Sequence, residues 1–186
     1  MGGLKLEASE IGELEILKSP LNSDVRGFLR VIYDRGINNP GVVNGNILFQ
    51  RIIMVNSKRG TLRGIHKARK DVHEVKLVAC VSGKIREIVV DLRPKSPTFK
   101  KHTEIILEAK NNCVIIIPNG CGHAYEVLSK EATLIYGLNT SYSPEKELII
   151  NALDPELNID WGDFKFRSSK DLLAENLASL IEDNLI

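Results

Sequence analysis

Long apolar runs, paired cysteines and an excess of one charge are all missing from this chain of 186 residues, and each absence removes a class of function. No stretch approaches the ~20 consecutive apolar residues that span a bilayer, and the start, Met1 to Glu10, lacks the apolar core of a signal peptide. The expectation is a soluble, unexported protein of the cytoplasm. The cysteines, Cys80, Cys113 and Cys121, are odd in number, scattered and without Cys-x-x-Cys spacing. Neither a disulfide framework nor a zinc site is indicated, and a reducing compartment fits. Lys and Arg total 25 against 24 Asp and Glu, with no basic stripe interleaved with aromatics and no acidic tail. That balance argues against nucleic acid and anionic membranes and leaves a small molecule or another subunit as partner. No Pro/Gly/Ser-rich stretch interrupts the chain, so residues 1–186 read as one domain, large enough to bury roughly 70% of its unfolded surface.

What is present is a series of short β-branched runs from Ile11 onward, separated by turn signals about every ten residues, the mark of a sandwich or barrel. The clearest pair is His73 to Val81 and Lys84 to Leu92, joined at Ser82-Gly83, which predicts a hairpin because glycine supplies the positive φ of a tight turn. Further strands are predicted at Phe28 to Tyr33, Asn46 to Val55, Thr103 to Leu107, Val114 to Ile117, Tyr125 to Leu128 and Thr133 to Leu138. Closure into an antiparallel barrel over about residues 20–165 removes exposed edges. After Trp161 the pattern turns helical: Leu173, Leu177, Leu180 and Ile181 share a face, and Ser168 with Asp171 fits a capping box. One helix over about 169–184 follows.

The residues able to carry chemistry are few. His66 stands near a strand end in Thr61-Leu62-Arg63-Gly64-Ile65-His66, where it is either a general base or a hydrogen-bonded barrel histidine. His123 closes a Pro-x-Gly-x-x-His turn of a kind also found in cupins, where such a histidine can bind metal; His73-Glu74 is the other feature in favour of one. His66 and His73, seven residues apart, would face opposite sides of one strand, which disfavours a metal site. Lys76 lies inside an apolar run and points either to the lumen or to solvent. Arg26, Arg63 and Arg93 flank turn signals, as phosphate ligands or as surface charges. Asp171 reads as a helix cap, and Tyr136 and Tyr142 as barrel aromatics.

Taken as an ordered string, the segments Gly60 to His66, Lys76 to Gly83, Val90 to Arg93, Ser96 to Phe99, Ile117 to His123, Tyr136, Tyr142 to Glu147, Leu153 to Trp161 and Ser169 to Asp171 resemble the dTDP-4-dehydrorhamnose 3,5-epimerase family. The resemblance runs from about Asp24 to Asp171. It implies a cupin-type antiparallel β-barrel, or jelly roll, that forms a homodimer. It also implies a substrate, a 4-keto-6-deoxy sugar nucleotide, epimerised at C3, C5 or both through an enolate with no metal or organic cofactor. On that resemblance His66 is the proton acceptor, Asp171 its orienting carboxylate, Lys76 the cation at the enolate oxygen and Tyr136 the proton donor on the opposite face of the ring. Arg26, Arg63, His123, Glu147 and Lys170 fall on nucleotide-sugar-binding positions, Tyr142 on the residue that stacks on thymine, and Asp91 on a supporting position near the site.

The departures fall among recognition positions. Arg26-Gly-Phe-Leu-Arg-Val31 lacks the acid of the family's Arg-Gly-Phe-Phe-x-Glu, the Gln-x-Asn pair appears as Arg51 and Ile53, and the Gln two residues after the histidine is Ala68, with Lys67 between. Three alternatives follow: the same chemistry on a CDP or GDP sugar, a sugar-nucleotide-binding cupin without turnover, and a metal-dependent cupin using His66 and His123.

Overall fold

The computed structural model describes residues 5–7, 9–19, 21–34 and 48–186. Its strands, in chain order, are β1 (Lys5–Glu7), β2 (Glu15–Lys18), β3 (Leu21–Asp24), β4 (Gly27–Arg30), β5 (Arg51–Lys58), β6 (Leu62–Ala68), β7 (Lys76–Ser82), β8 (Lys84–Asp91), β9 (His102–Glu108), β10 (Cys113–Ile117), β11 (Cys121–Val127), β12 (Glu131–Leu138) and β13 (Glu147–Ile149). They form a six-stranded sheet ordered β1-β2-β10-β7-β12-β5, a five-stranded sheet ordered β13-β6-β11-β8-β9, and a separate hairpin of β3 and β4. Every pairing within them is antiparallel. Two sheets that enclose a common core give the jelly-roll form expected of a cupin.

The alternation of each strand decides what lies between the sheets. Ile85 and Val89 of β8, Val78 and Cys80 of β7, Leu134 of β12 and Tyr125 of β11 meet in the central core. The opposite parity of the five-stranded sheet, including Leu62, Ile88, Val90 and Ala124, is covered by the C-terminal segment through Leu157, Leu177 and Leu180. Burial of such side chains contributes roughly 1.5–3 kcal/mol each. The central strands β8 and β11 are therefore buried on both faces along most of their length and lack the clean alternation of a half-exposed strand.

Two expectations from sequence are corrected. The segments joined at Ser82-Gly83 are strands, but they do not pair with each other. β7 pairs with β10 and β12, whereas β8 pairs with β11 and β9. Only Gly83 separates the two strands, too short a link for a two-residue hairpin loop, so the chain turns a corner from one sheet into the other. Gly83 has φ +78°, and a Cβ there would lie 2.1 Å from the Glu131 carbonyl oxygen, so the corner requires glycine on both grounds.

The single helix expected over 169–184 is divided into α1 (Ser169–Leu172) and α2 (Leu177–Glu182). Between them Glu175 bridges to Ile150, its carbonyl accepting from the Asn151 amide, and Asp154 accepts from the Leu177 amide at 2.6 Å. The helical spacing holds for Leu177 and Leu180, which are buried, while Leu173 is 83% exposed. Tertiary hydrogen bonds to the β13 exit thus override propensity in the middle of the segment. Of the predicted strand 46–55, residues 46–47 lie outside the described residues and the strand begins at Arg51.

Candidate active site

β6 and β11 pair so that His66 lies directly opposite His123, and opposed residues share a face. Gly64, with φ +113°, allows that approach: a Cβ there would lie 2.5 Å from the His123 carbonyl oxygen. A register shift between His123 and Tyr125 re-aims the strand at this point. The two imidazoles stand edge to face, 6.4 Å between ring centres.

His66 Nε2 is 2.8 Å from Asp171 Oδ1. The other carboxylate oxygen, Oδ2, accepts from the Ser168 hydroxyl at 2.8 Å and from the Ser168 amide at 3.3 Å, while Ser168 Oγ accepts from the Asp171 amide at 3.1 Å. The capping box and the orienting carboxylate are therefore one object. Burial alone would push the Asp171 carboxyl up, but the hydrogen bonds from His66 and Ser168 outweigh it and hold the group below its ordinary value. An ionised carboxylate only accepts, so Nε2 carries the hydrogen and, in the neutral ring, Nδ1 keeps the lone pair. This is the arrangement of an oriented general base.

Lys76 resolves to the lumen, on the inward parity of β7 with Val78 and Cys80. Its ammonium lies 3.0 Å from His123 Nε2 and 3.6 Å from Glu74 Oε1. His123 Nδ1 in turn lies 2.6 Å from Glu87 Oε1. Tyr136, opposite Val78 across the β7–β12 ladder, packs its ring at 5.7 Å and 89° to the His123 ring. Burial first, then the neighbouring Tyr125 and Glu87, raise the Tyr136 phenol well above its ordinary value, so its proton is retained. Tyr125 is anchored to Ser57 at 3.0 Å.

These groups open into a cavity of about 220 Å³ lined by His66, Lys76, Tyr136, His123, Arg63, Tyr142 and Glu147 among others. Seven of the expected residues thus converge, with Asp171 behind His66. Lys170 reaches the rim through Glu147 at 3.9 Å. Two expected residues stand elsewhere. Arg26 sits on the β3–β4 hairpin, exposed and paired with Asp24. Asp91 is buried at the end of β8; burial alone would push its carboxyl up, but the bonds it accepts from Arg93, Ser96 and Thr98 in the following loop outweigh that and hold it well below its ordinary value. Its place is structural. Arg93 is spent on the same loop and on Glu13.

Glu87 is the residue that sequence reasoning missed. It occupies the inward parity of β8 between Ile85 and Val89, and a carboxylate between two core positions was the available signal. Arg51 also gains a definite place, lining the cavity with its guanidinium 4.5 Å from the centre of the Tyr142 ring.

Comparison with known proteins gives the family. The family model described as dTDP-4-dehydrorhamnose 3,5-epimerase matches residues 8–179. The chain belongs to this family. A dTDP-4-dehydrorhamnose 3,5-epimerase of Shigella flexneri is 33% identical over 153 residues, 82% of this chain and 84% of that protein. Among solved structures, a 4-keto-6-deoxy sugar epimerase from the novobiocin cluster of Streptomyces spheroides superposes with a TM-score of 0.94 at 28% identity, covering 100% of this chain and 93% of that one. A dTDP-6-deoxy-D-glucose-3,5-epimerase of Legionella pneumophila, in complex with dTDP-4-keto-L-rhamnose, gives 0.87 at 32% identity, covering 98% and 97%. Membership in the family places the chain among the isomerase-class epimerases.

Proposed function

We propose that the protein epimerises C3, C5 or both in a 4-keto-6-deoxy sugar nucleotide, with dTDP-4-dehydro-6-deoxyglucose as the leading substrate. The observation that carries this reading is the His66–Asp171 pair opening onto a cavity that also holds Lys76 and Tyr136. His66 Nδ1 removes the proton that the C4 ketone acidifies, and Asp171 stabilises the imidazolium that results. The Lys76 ammonium neutralises the charge that develops on O4, an interaction stronger in the transition state than with the ketone. Tyr136, kept protonated by burial, returns a proton from the opposite face. No step calls for a metal or organic cofactor.

Proton NMR of dTDP-4-dehydro-6-deoxyglucose incubated with the protein in D₂O tests this directly. Deuterium at C3 or C5 is expected in the wild type and absent in His66→Ala. A wild-type protein that exchanges no hydrogen in any nucleotide form of the sugar would sink the proposal.

The Arg51–Tyr142 contact favours a second reading, the same chemistry on another nucleotide. The guanidinium covers one face of the exposed ring at the cavity mouth and offers paired donors to a base. Calorimetry decides it: tight dTDP binding with CDP and GDP rejected removes this reading.

We further assign the protein to the cytoplasm, in keeping with three buried free cysteines, and to a homodimer. The β3–β4 hairpin supports the dimer. It leaves Val25, Phe28 and Leu29 exposed and carries Arg26 away from the cavity of its own chain, as an arm that lies against a second copy would.

A further inference from the structure

Lys76 as an ammonium has hydrogens to give and no lone pair to receive one. At 3.0 Å its partner, His123 Nε2, must therefore be the acceptor. That fixes the histidine hydrogen on Nδ1, which donates to Glu87 Oε1 at 2.6 Å. The other tautomer would set an N–H against an ammonium in a buried site. Glu87 decides between the two, because it supplies an acceptor at Nδ1 and nothing else in the ladder does: Ile105 of β9 stands opposite it on one side and Tyr125 of β11 on the other.

We propose that Glu87 is a positioning residue for the epimerisation, holding Lys76 on the enolate oxygen through His123, and that it acts as a neutral hydrogen-bond acceptor, not as a negative charge. Its side chain is fully buried, its second oxygen Oε2 has no partner among the described residues, and its one ion-pair partner there is His123. The ionisable groups that face it are Lys76 from β7, His123 and Tyr125 from β11, and Tyr136 from β12. Burial pushes the Glu87 carboxyl well up and the His123 imidazole well down, in the same sense. No charge then lies behind His123, and Lys76 meets the oxyanion with Glu74, 3.6 Å away, as its carboxylate neighbour.

This inference rests on the epimerase reading, and its test separates the two. Glu87→Gln keeps an acceptor without a charge; Glu87→Leu removes the acceptor. The expectation for Gln is a kcat within about threefold of wild type, and for Leu a loss of about tenfold to a hundredfold with KM little changed. Nitrogen-15 NMR of the histidine ring gives an arm that needs no turnover: the Nδ1–H tautomer of His123 in wild type and Gln, lost or mixed in Leu. If Gln is as impaired as Leu, the charge matters and the proposal falls. It also falls if Leu keeps full kcat, or if the wild-type ring carries its hydrogen on Nε2. Should Leu fail to fold, the Gln kinetics and the wild-type tautomer still decide. A wild type with no exchange activity but the Nδ1–H tautomer would overturn the function and leave the relay standing.

Discussion

At the scale of single residues, the site depends on two histidines with opposite tasks. His66 presents Nδ1 to the cavity because Asp171 occupies Nε2, whereas His123 has both nitrogens committed within the protein. His66→Asn should therefore lower kcat by about 10² to 10⁴ while leaving nucleotide binding near wild type, as measured by turnover and calorimetry. His123→Asn should act differently, weakening the hold on Lys76 rather than removing a proton acceptor. The carboxylates add a pH signature. Asp91 and Asp171 are both held below their ordinary value of 3.8. As pH falls, the unfolded chain takes up those protons first, so the stability they contribute is full above about pH 4 and is lost as pH drops through their folded values. Thermal melts between pH 6 and 2.5 should show this slope, and Asp91→Asn should flatten part of it.

At the scale of elements, the cap of α1 is also part of the catalytic pair, so one substitution should have two effects. Ser168→Ala removes the hydroxyl that binds Asp171 Oδ2 and the acceptor for the Asp171 amide. The expected outcome is a loss of about 0.5–2 kcal/mol in denaturant unfolding together with a fall in kcat. A cap serving the helix alone would lower stability and spare kcat. On β2, Glu15 is buried with neither carboxylate oxygen hydrogen-bonded among the described residues, and burial raises it to about 7. Its stability contribution is complete below the ordinary value of 4.5 and is lost as pH rises toward 7, because only the unfolded chain ionises freely there. Glu15→Gln should accordingly raise the melting temperature at pH 8 and leave it nearly unchanged at pH 4.5.

The same scale shows what could be read in advance. The β-branched strands β7 to β12 were legible because Val and Ile suit a pleated, two-sided core. β6 was not, since Arg63, Gly64, His66 and Lys67 break the apolar run where the chain serves the cavity. Nor was the sheet to which each strand belongs: parity along a strand predicts a face, not a neighbour. Glu87 is one charge among several on β8 in the sequence, and its contact with His123, which meets Lys76 in turn, is visible only in the structure. Arg26 shows the limit of position-by-position matching, which names a residue without its surroundings: it stands exposed on the β3–β4 hairpin, paired with Asp24.

At the scale of the whole molecule, apolar side chains of the hairpin and of β5, including Phe28, Leu29, Ile52 and Met54, are exposed, and the proposed homodimer would cover them. Sedimentation should give twice the chain mass. A Val25→Asp, Phe28→Asp variant should shift toward the monomer and lose activity with it if the hairpin serves the neighbouring cavity. A monomer that keeps full activity would show that each chain is complete alone.

The corner at Gly83 also has a consequence for how the molecule comes to exist. Because β7 and β8 part into different sheets, neighbours in sequence do not pair there: β8 finds β9 next in the chain but waits for β11, while β7 waits for β10 and β12. A chain leaving the ribosome can pair β8 with β9 once residue 108 is out, but one Val-rich edge of β7 stays unpaired until β12 has emerged at residue 138. Such non-local topologies fold in about milliseconds to seconds, so synthesis that stalls before β12 would leave a segment prone to aggregate.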